Sequence, residues 1–193
     1  MRGVSGRLFV VAGPSGVGKG TLIARALRAV HGLVVATSAT TRPRRSDERD
    51  GREYHFLSEQ EFEGRVAEGK FLEHVSYAGK RYGTLRSEVE QRLRSGGSVV
   101  LEIEVAGARE IKRQMPDAVL VFVAPPTMAD LEARLRGRRQ NTETEVADRL
   151  RIAAAEMEAQ PEFDHVIVND DAERAAADLA DVMRAAMTAE EPR

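Results

Sequence analysis

Five short apolar runs punctuate the chain: Leu8–Ala12, Leu33–Ala36, Val99–Ile103, Val119–Val123 and Val166–Val168. Each is continuous rather than alternating, the pattern of strands covered on both faces in a parallel sheet between layers of helix. Between them the period lengthens. Thr21–Val30 sets Leu22, Ile23, Ala26, Leu27 and Val30 on one stripe, and Gly32 follows as a stop. Ser58-x-x-Glu61 opens another helix as a capping box ahead of Phe62 and Val66. Thr142-x-x-Glu145 does the same before Val146, Leu150, Ala153, Ala154 and Met157, and Ala172–Met187 closes the chain with Leu179, Val182 and Met183. Strands alternating with helices of this length predict an α/β fold, a doubly wound parallel sheet of about five strands flanked by helices.

Two stretches break the alternation. Residues 37–87 hold Arg-, Gly- and Tyr-rich segments around one helix, and residues 128–160 are charge-rich and helical. Both are expected as insertions at the carboxyl edge of the sheet, where such folds bind ligands. The chain then reads as one domain with its core in residues 1–36, 88–127 and 161–193.

Composition narrows the chemistry. The 193 residues suffice for a single real core. A formal net charge of -2 gives no overall field for a nucleic acid backbone or an anionic membrane, so any bound anion must be held by local clusters of Arg and Lys. Cysteine is absent, which excludes disulfides, thiolate zinc sites and cysteine nucleophiles. Met1–Ala12 has no signal-peptide pattern and no segment approaches the ~18 apolar residues of a membrane span, so a cytoplasmic setting is expected. None of His31, His55, His74 or His165 sits in a recognisable catalytic constellation.

Directly after the first apolar run comes Gly13-Pro14-Ser15-Gly16-Val17-Gly18-Lys19-Gly20-Thr21. Its glycines let the backbone turn N–H groups inward on an anion, and a helix beginning near Gly20 adds its positive end. Lys19 is placed to reach β- and γ-phosphates. This strand–loop–helix is a P-loop, the mark of an NTPase-like core, and by itself it says only that a nucleoside triphosphate is bound. Such loops usually follow the lysine with Ser or Thr, which binds Mg²⁺. Gly20 stands there instead, and Thr21 is one helical step, roughly 100°, further round. The metal is therefore expected to rest on phosphates, water and an acidic residue elsewhere.

The insertion carries the frame S-x-x-T-R-x-x-R-x-x-E-x-x-G-x-x-Y-x-F, from Ser38 through Arg42, Arg45 and Tyr54 to Phe56, and later Glu73, Tyr82 and Thr84. Taken singly, Arg42, Arg44 and Arg45 read as a solvated loop, Glu73 as an exposed strand residue, and Tyr54 and Tyr82 as core edges. Their joint spacing with the P-loop overrides those readings. Over nearly its whole length the chain resembles the guanylate kinases, through GPSGVGKGT, SATTR, FLEHVSYAGKRYGT, VVLEIEVAGA, VAPPT, RLRGR and VIVNDD in that family's order and spacing.

The resemblance implies a phosphotransferase of purine nucleotide metabolism, converting ATP and GMP, and also dGMP, to ADP and GDP with Mg²⁺. It implies ATP contacts along Gly13–Thr21 and at Asn169, and GMP contacts at Ser38, Arg42, Arg45, Tyr54, Glu73, Tyr82, Thr84 and Glu104. Guanine presents two adjacent N–H donors, which one carboxylate such as Glu73 accepts together, while hydroxyls at Ser38 and Thr84 serve the remaining edge. Arg42, Arg45, Tyr54 and Tyr82 make an anion clamp for the 5′-phosphate. The family's usual T-R-x-P-R-x-G-E reads Thr41-Arg42-Pro43-Arg44-Arg45-Ser46-Asp47-Glu48, and the preserved distance to Tyr54 selects Arg45 over Arg44.

Glu102 and Glu104 are expected to end the strand on one face, Glu102 near the metal. Residues 128–160 resemble a lid, with Arg134, Arg138 and Arg149 as the cations that neutralise the transferring phosphoryl group beside Lys19. The tip Arg139-Gln140-Asn141 and Ala106 depart from the family's usual residues. Two rivals stand beside this reading: a kinase of ribose 1,5-bisphosphate on the same scaffold, and a non-catalytic peptide-binding module. Ser38, Glu73 and Thr84 together argue against the first, and an intact Lys19 against the second.

Overall fold

The computed structural model describes residues 6–77, 79–137 and 142–188. In chain order the elements are β1 (Leu8–Ala12), α1 (Lys19–Ala29), β2 (Leu33–Val35), β3 (Ala39–Thr40), β4 (His55–Phe56), α2 (Glu59–Ala67), β5 (Phe71–Tyr77), β6 (Lys80–Leu85), α3 (Arg86–Arg94), β7 (Ser98–Glu102), α4 (Val105–Gln114), β8 (Val119–Ala124), α5 (Met128–Arg136), α6 (Glu143–Met157), β9 (His165–Val168) and α7 (Ala172–Thr188). A 3-10 turn at Gln160–Glu162 precedes β9.

β1 is buried throughout and lies at the centre of a sheet ordered β2-β7-β1-β8-β9. All its pairings are parallel. Successive side chains of β1 enter opposite cores. Phe9 and Val11 pack with Leu22 and Ile23 of α1, Leu131 of α5 and Leu179 of α7. Leu8, Val10 and Ala12 pack with Val89 of α3 and with Ala108 and Ile111 of α4. A strand clamped by helices on both faces has no place for a polar residue, which is why these runs are unbroken.

The edges depart from that expectation. Val34 and Val35 of β2 are 36% and 40% exposed, and Val166 and Val168 of β9 are 45% and 47% exposed. The outermost strands are therefore covered on part of their surface only.

Two core helices, α3 and α4, were not evident in the sequence. Each carries few large apolar positions: α3 buries Val89 alone, and α4 buries Val105, Gly107, Ala108 and Ile111. The first helix starts at Lys19, one residue before the expected start near Gly20.

The insertion holds more than its expected helix. It builds a second sheet, ordered β4-β3-β6-β5. β3 and β4 are two residues long, too short to show a period of two. The capping box of α2 is present, with Glu61 N–H to Ser58 Oγ at 3.2 Å and Ser58 N–H to Glu61 Oε2 at 2.8 Å. That of α6 is present too, between Thr142 and Glu145. A small core of Ala39, Phe62, Phe71 and Leu85 holds the sheet on α2, with the rings of Phe62 and Phe71 stacked at 4.4 Å. Gln114 of α4 ties this unit to the main sheet, donating from Nε2 to the Leu72 carbonyl at 2.7 Å while accepting from Arg86 at 2.9 Å. Among the described residues no helix is long and apolar enough to cross a membrane.

Because that core has so few members, Phe62→Ala is expected to cost about 3–5 kcal/mol. Hydrogen exchange should show the loss first in amides of residues 39–85, ahead of those in β1, β7 and β8.

Candidate active site

The loop after β1 is a chain of tight turns. Gly13, Gly16 and Gly18 have φ of 138°, 89° and 102°. α1 starts at once, with no side-chain cap and no acid in its first turn. No capping side chain of the loop itself therefore competes for the amides at the start of α1, where an anion can be bound, although the Gly20 N–H is turned to Glu102. Lys19 is only 7% exposed, and its Nζ donates to the Gly13 and Pro14 carbonyls at 2.7 and 3.4 Å. The ammonium is thus held over the loop rather than in solvent.

Gly20 answers a close approach. A Cβ there would lie 3.1 Å from Oε2 of Glu102, at the carboxyl end of β7. The Glu102 carboxylate fills the space that a longer side chain at position 20 would take. Burial raises its pKa, and Glu104 adds to this, while Lys19 and the Gly20 N–H oppose the rise.

Across the cleft stands the hairpin β5–β6. Glu73 pairs with Thr84 and Val75 with Tyr82, past an irregularity in register between Phe71 and Glu73. Directly opposed residues share a face, so these four side chains form one wall. Glu73 is 4% exposed and accepts a 2.7 Å hydrogen bond from Thr84 Oγ1. Its pKa is raised by burial and by Glu104, against the lowering by Thr84. The first turn of α4 backs it closely: a Cβ on Gly107 would come within 2.9 Å of Glu73 Oε2.

These walls enclose a cleft of about 500 Å³ lined by Ser15, Gly16, Gly18, Lys19, Gly20, Thr21, Ser38, Tyr54, Glu73, Tyr82, Glu102 and Glu104, among others. Most predicted contacts therefore meet in one place. Thr84 lies behind Glu73 as its donor. Glu104 does not end a strand as expected. β7 stops at Glu102, and Glu104 sits at the N-cap of α4, still on the cleft wall.

Arg42 lies over the rings of Tyr54 and Phe56, at 5.4 and 5.6 Å from their centroids. Tyr54 and Tyr82 meet edge to face at 6.1 Å. Burial raises the Tyr54 pKa, so the phenol keeps its proton and can donate. Arg45 is exposed; its backbone N–H donates to the Glu48 carboxylate at 2.8 Å and its carbonyl accepts from the Glu48 N–H at 3.3 Å.

From the lid side, Arg149 donates to Ser15 Oγ of the P-loop at 2.8 Å. Arg134 turns its guanidinium to the carbonyls of Val17 and Asn169, at 3.1 and 2.7 Å. Asn169 is buried, and its amide donates to the Val17 carbonyl at 2.7 Å. Arg134 and Asn169 thus brace the loop where it turns into α1. Arg138 and the tip Arg139-Gln140-Asn141 lie outside the described residues.

Three acids had no role in the sequence reading. Glu53 lines the cleft. Glu48 is 9% exposed and bonded to Arg42. Glu156 of α6 has its pKa pushed up by burial and by Glu104. Glu48 and Glu53 lie within the spacing that links Arg42 to Tyr54, but Glu156 meets Glu104 only through the packing of α6.

Comparison with known proteins agrees with this geometry. A sequence model described as guanylate kinase matches residues 5–186. The chain belongs to the guanylate kinase family. It is 49% identical over 187 residues to a protein named guanylate kinase from Rubrobacter xylanophilus, covering 97% of this chain and 98% of that one. It is 48% identical over 172 residues to another so named from Nostoc sp., covering 89% and 86%. A crystal structure of guanylate kinase from Anaplasma phagocytophilum superimposes with a TM-score of 0.79 at 29% identity, over 96% of this chain and 88% of that one.

Thr84→Val removes the hydroxyl that favours ionised Glu73, so the Glu73 pKa is expected to rise further above 4.5. Native Glu73 holds its proton more tightly than the unfolded chain does. Its contribution to stability is therefore full below the unfolded pKa and lost as pH rises through the native one, over a wider window in the variant. Carbon NMR titration of the glutamate carboxyls would report the shift.

Proposed function

We propose that this enzyme transfers the terminal phosphoryl group of ATP to GMP, and to dGMP, by direct in-line transfer. The observation that carries the reading is the buried Glu73 carboxylate, with Thr84 donating to it, on the wall opposite the Lys19 loop of the same cleft. A carboxylate so withdrawn from water needs a ligand bearing paired donors, and guanine's ring N–H and amine supply them. Adenine lacks that pair and would leave the acid unmatched.

The P-loop amides and Lys19 take the triphosphate, and the lid arginines Arg134, Arg138 and Arg149 neutralise the moving charge. Asn169 serves the ATP side. Ser38, Tyr54, Tyr82, Arg42, Arg45 and Glu104 orient the acceptor. Closing the lid excludes water and spares ATP from hydrolysis.

The donors present fit Mg²⁺ held largely by substrate. Glu102 offers one carboxylate beside Lys19, Thr21 lines the same cleft, and no cluster of three or more metal-binding side chains occurs among the described residues. Mg²⁺ commonly binds one or two carboxylates together with phosphates and water. Bound there, it would screen the phosphate charge. The residues 37–87 and 128–160 then serve as the acceptor-binding insertion and the lid.

In a coupled assay, ADP formation from ATP should depend on GMP and not on AMP, CMP or UMP. Glu73→Gln should lower kcat/KM for GMP about 10- to 100-fold, since the amide turns a donor toward guanine's donors. Lys19→Met should lower kcat about 10²- to 10³-fold. Turnover stimulated by ribose 1,5-bisphosphate and not by GMP would assign a different acceptor, and no turnover with any acceptor would favour a binding module.

A further inference from the structure

Glu48 is an acid with 9% of its surface exposed in a loop whose other charges, the half-buried Arg42 apart, are exposed. Its carboxylate accepts from Arg42 Nη2 at 2.6 Å, from Arg42 Nη1 at 3.0 Å and from the Arg45 N–H at 2.8 Å. Its own N–H donates to the Arg45 carbonyl at 3.3 Å, and its carbonyl accepts from Arg44. One residue therefore holds three arginines of the same loop, Arg42, Arg44 and Arg45, two of them through its carboxylate. The pairing with Arg42 and the Arg45 amide also keeps the carboxylate ionised well below the usual range.

The donor count on Arg42 shows what this leaves. A guanidinium has five N–H groups. Nη1 spends both of its own, on Glu48 and on the Pro43 carbonyl at 2.8 Å. Nη2 spends one on Glu48. The Nε–H and the outer Nη2–H have no partner among the described residues. These two lie parallel on one edge of the guanidinium, the fork that grips two phosphate oxygens. Meanwhile the guanidinium rests over the ring of Tyr54, which lines the cleft.

We propose that Glu48 is a positioning residue for acceptor-phosphate binding: it grips Arg42 end-on and anchors the Arg45 backbone, so that the free side-on fork of Arg42 faces the acceptor's phosphate. The proposal rests on the function proposed above. An alternative geometry would have Glu48 compete with the phosphate for Arg42. The two differ in sign, because a competitor's removal tightens binding and a positioner's removal weakens it.

The test compares ligands with and without the phosphate. For Glu48→Gln, the KM for GMP should rise about tenfold or more, as expected when charge-assisted bonds to a half-buried arginine are lost. The KM for ATP should hold, and kcat should change less than KM. Inhibition by guanosine, which lacks the phosphate, should be unchanged. Glu48→Asp, which keeps the charge on a shorter arm, should show the same phosphate-dependent loss in smaller measure and serves if Glu48→Gln does not fold. Equal losses for GMP and guanosine, an unchanged KM for GMP, or a lowered one would each overturn the proposal. If the unsubstituted enzyme fails to phosphorylate GMP, the assignment of the acceptor fails instead, and the two failures are thereby distinguished.

Discussion

Both faces of β1 are committed to apolar cores, yet the strand ends in a loop whose amides must face an anion. Everything functional follows from how the fold meets that constraint. The strand order places β7 on one side of β1 and β8 on the other. The connections from the carboxyl ends of β1 and β7 diverge, into α1 on one face and α4 on the other, and leave a cleft between them. Phosphate can enter there without disturbing a single core side chain. The second sheet and the helices α5 and α6 then stand around the opening.

Charge is distributed around that cleft so that few groups are left alone. Glu102 faces Lys19, Glu73 accepts from Thr84, and Glu156 lies against Glu104. Each carboxylate is pushed toward its neutral form by burial and drawn back by a donor or cation, or, for Glu156, kept protonated by an acid. A ligand that brings further donors or charges into the cleft would shift these groups again by the same effects. On the outside, the arginine–glutamate pairs are exposed and add little, in keeping with the weak contribution of solvated ion pairs.

Much of the site was legible because its residues repeat a spacing. The P-loop and the hairpin residues Glu73, Tyr82 and Thr84 came together as expected. Residues whose work depends on a neighbour's side chain were harder to read. Gly20 looked like a lost metal ligand, and the structure shows it making room for Glu102. Asn169 and Arg134, expected at nucleotide, lie where they brace the loop. Glu48 was part of the motif but had no task until its bonds to Arg42 could be counted.

The sequence alone determined the parallel core, because strands covered on both faces must be continuously apolar, and it determined the phosphate loop, whose glycines act through local backbone geometry. It also marked the capping boxes of α2 and α6, each contained within four residues. The tertiary structure decided the rest: the second sheet, whose two-residue strands carry no period; the exposed edges at β2 and β9; and the partners of Glu73, Glu102 and Glu48. A hydrogen bond between Thr84 and Glu73 depends on a register between strands, and a carboxylate against Gly20 depends on two strand ends meeting. Contacts of that kind are properties of packing, and local composition leaves no trace of them.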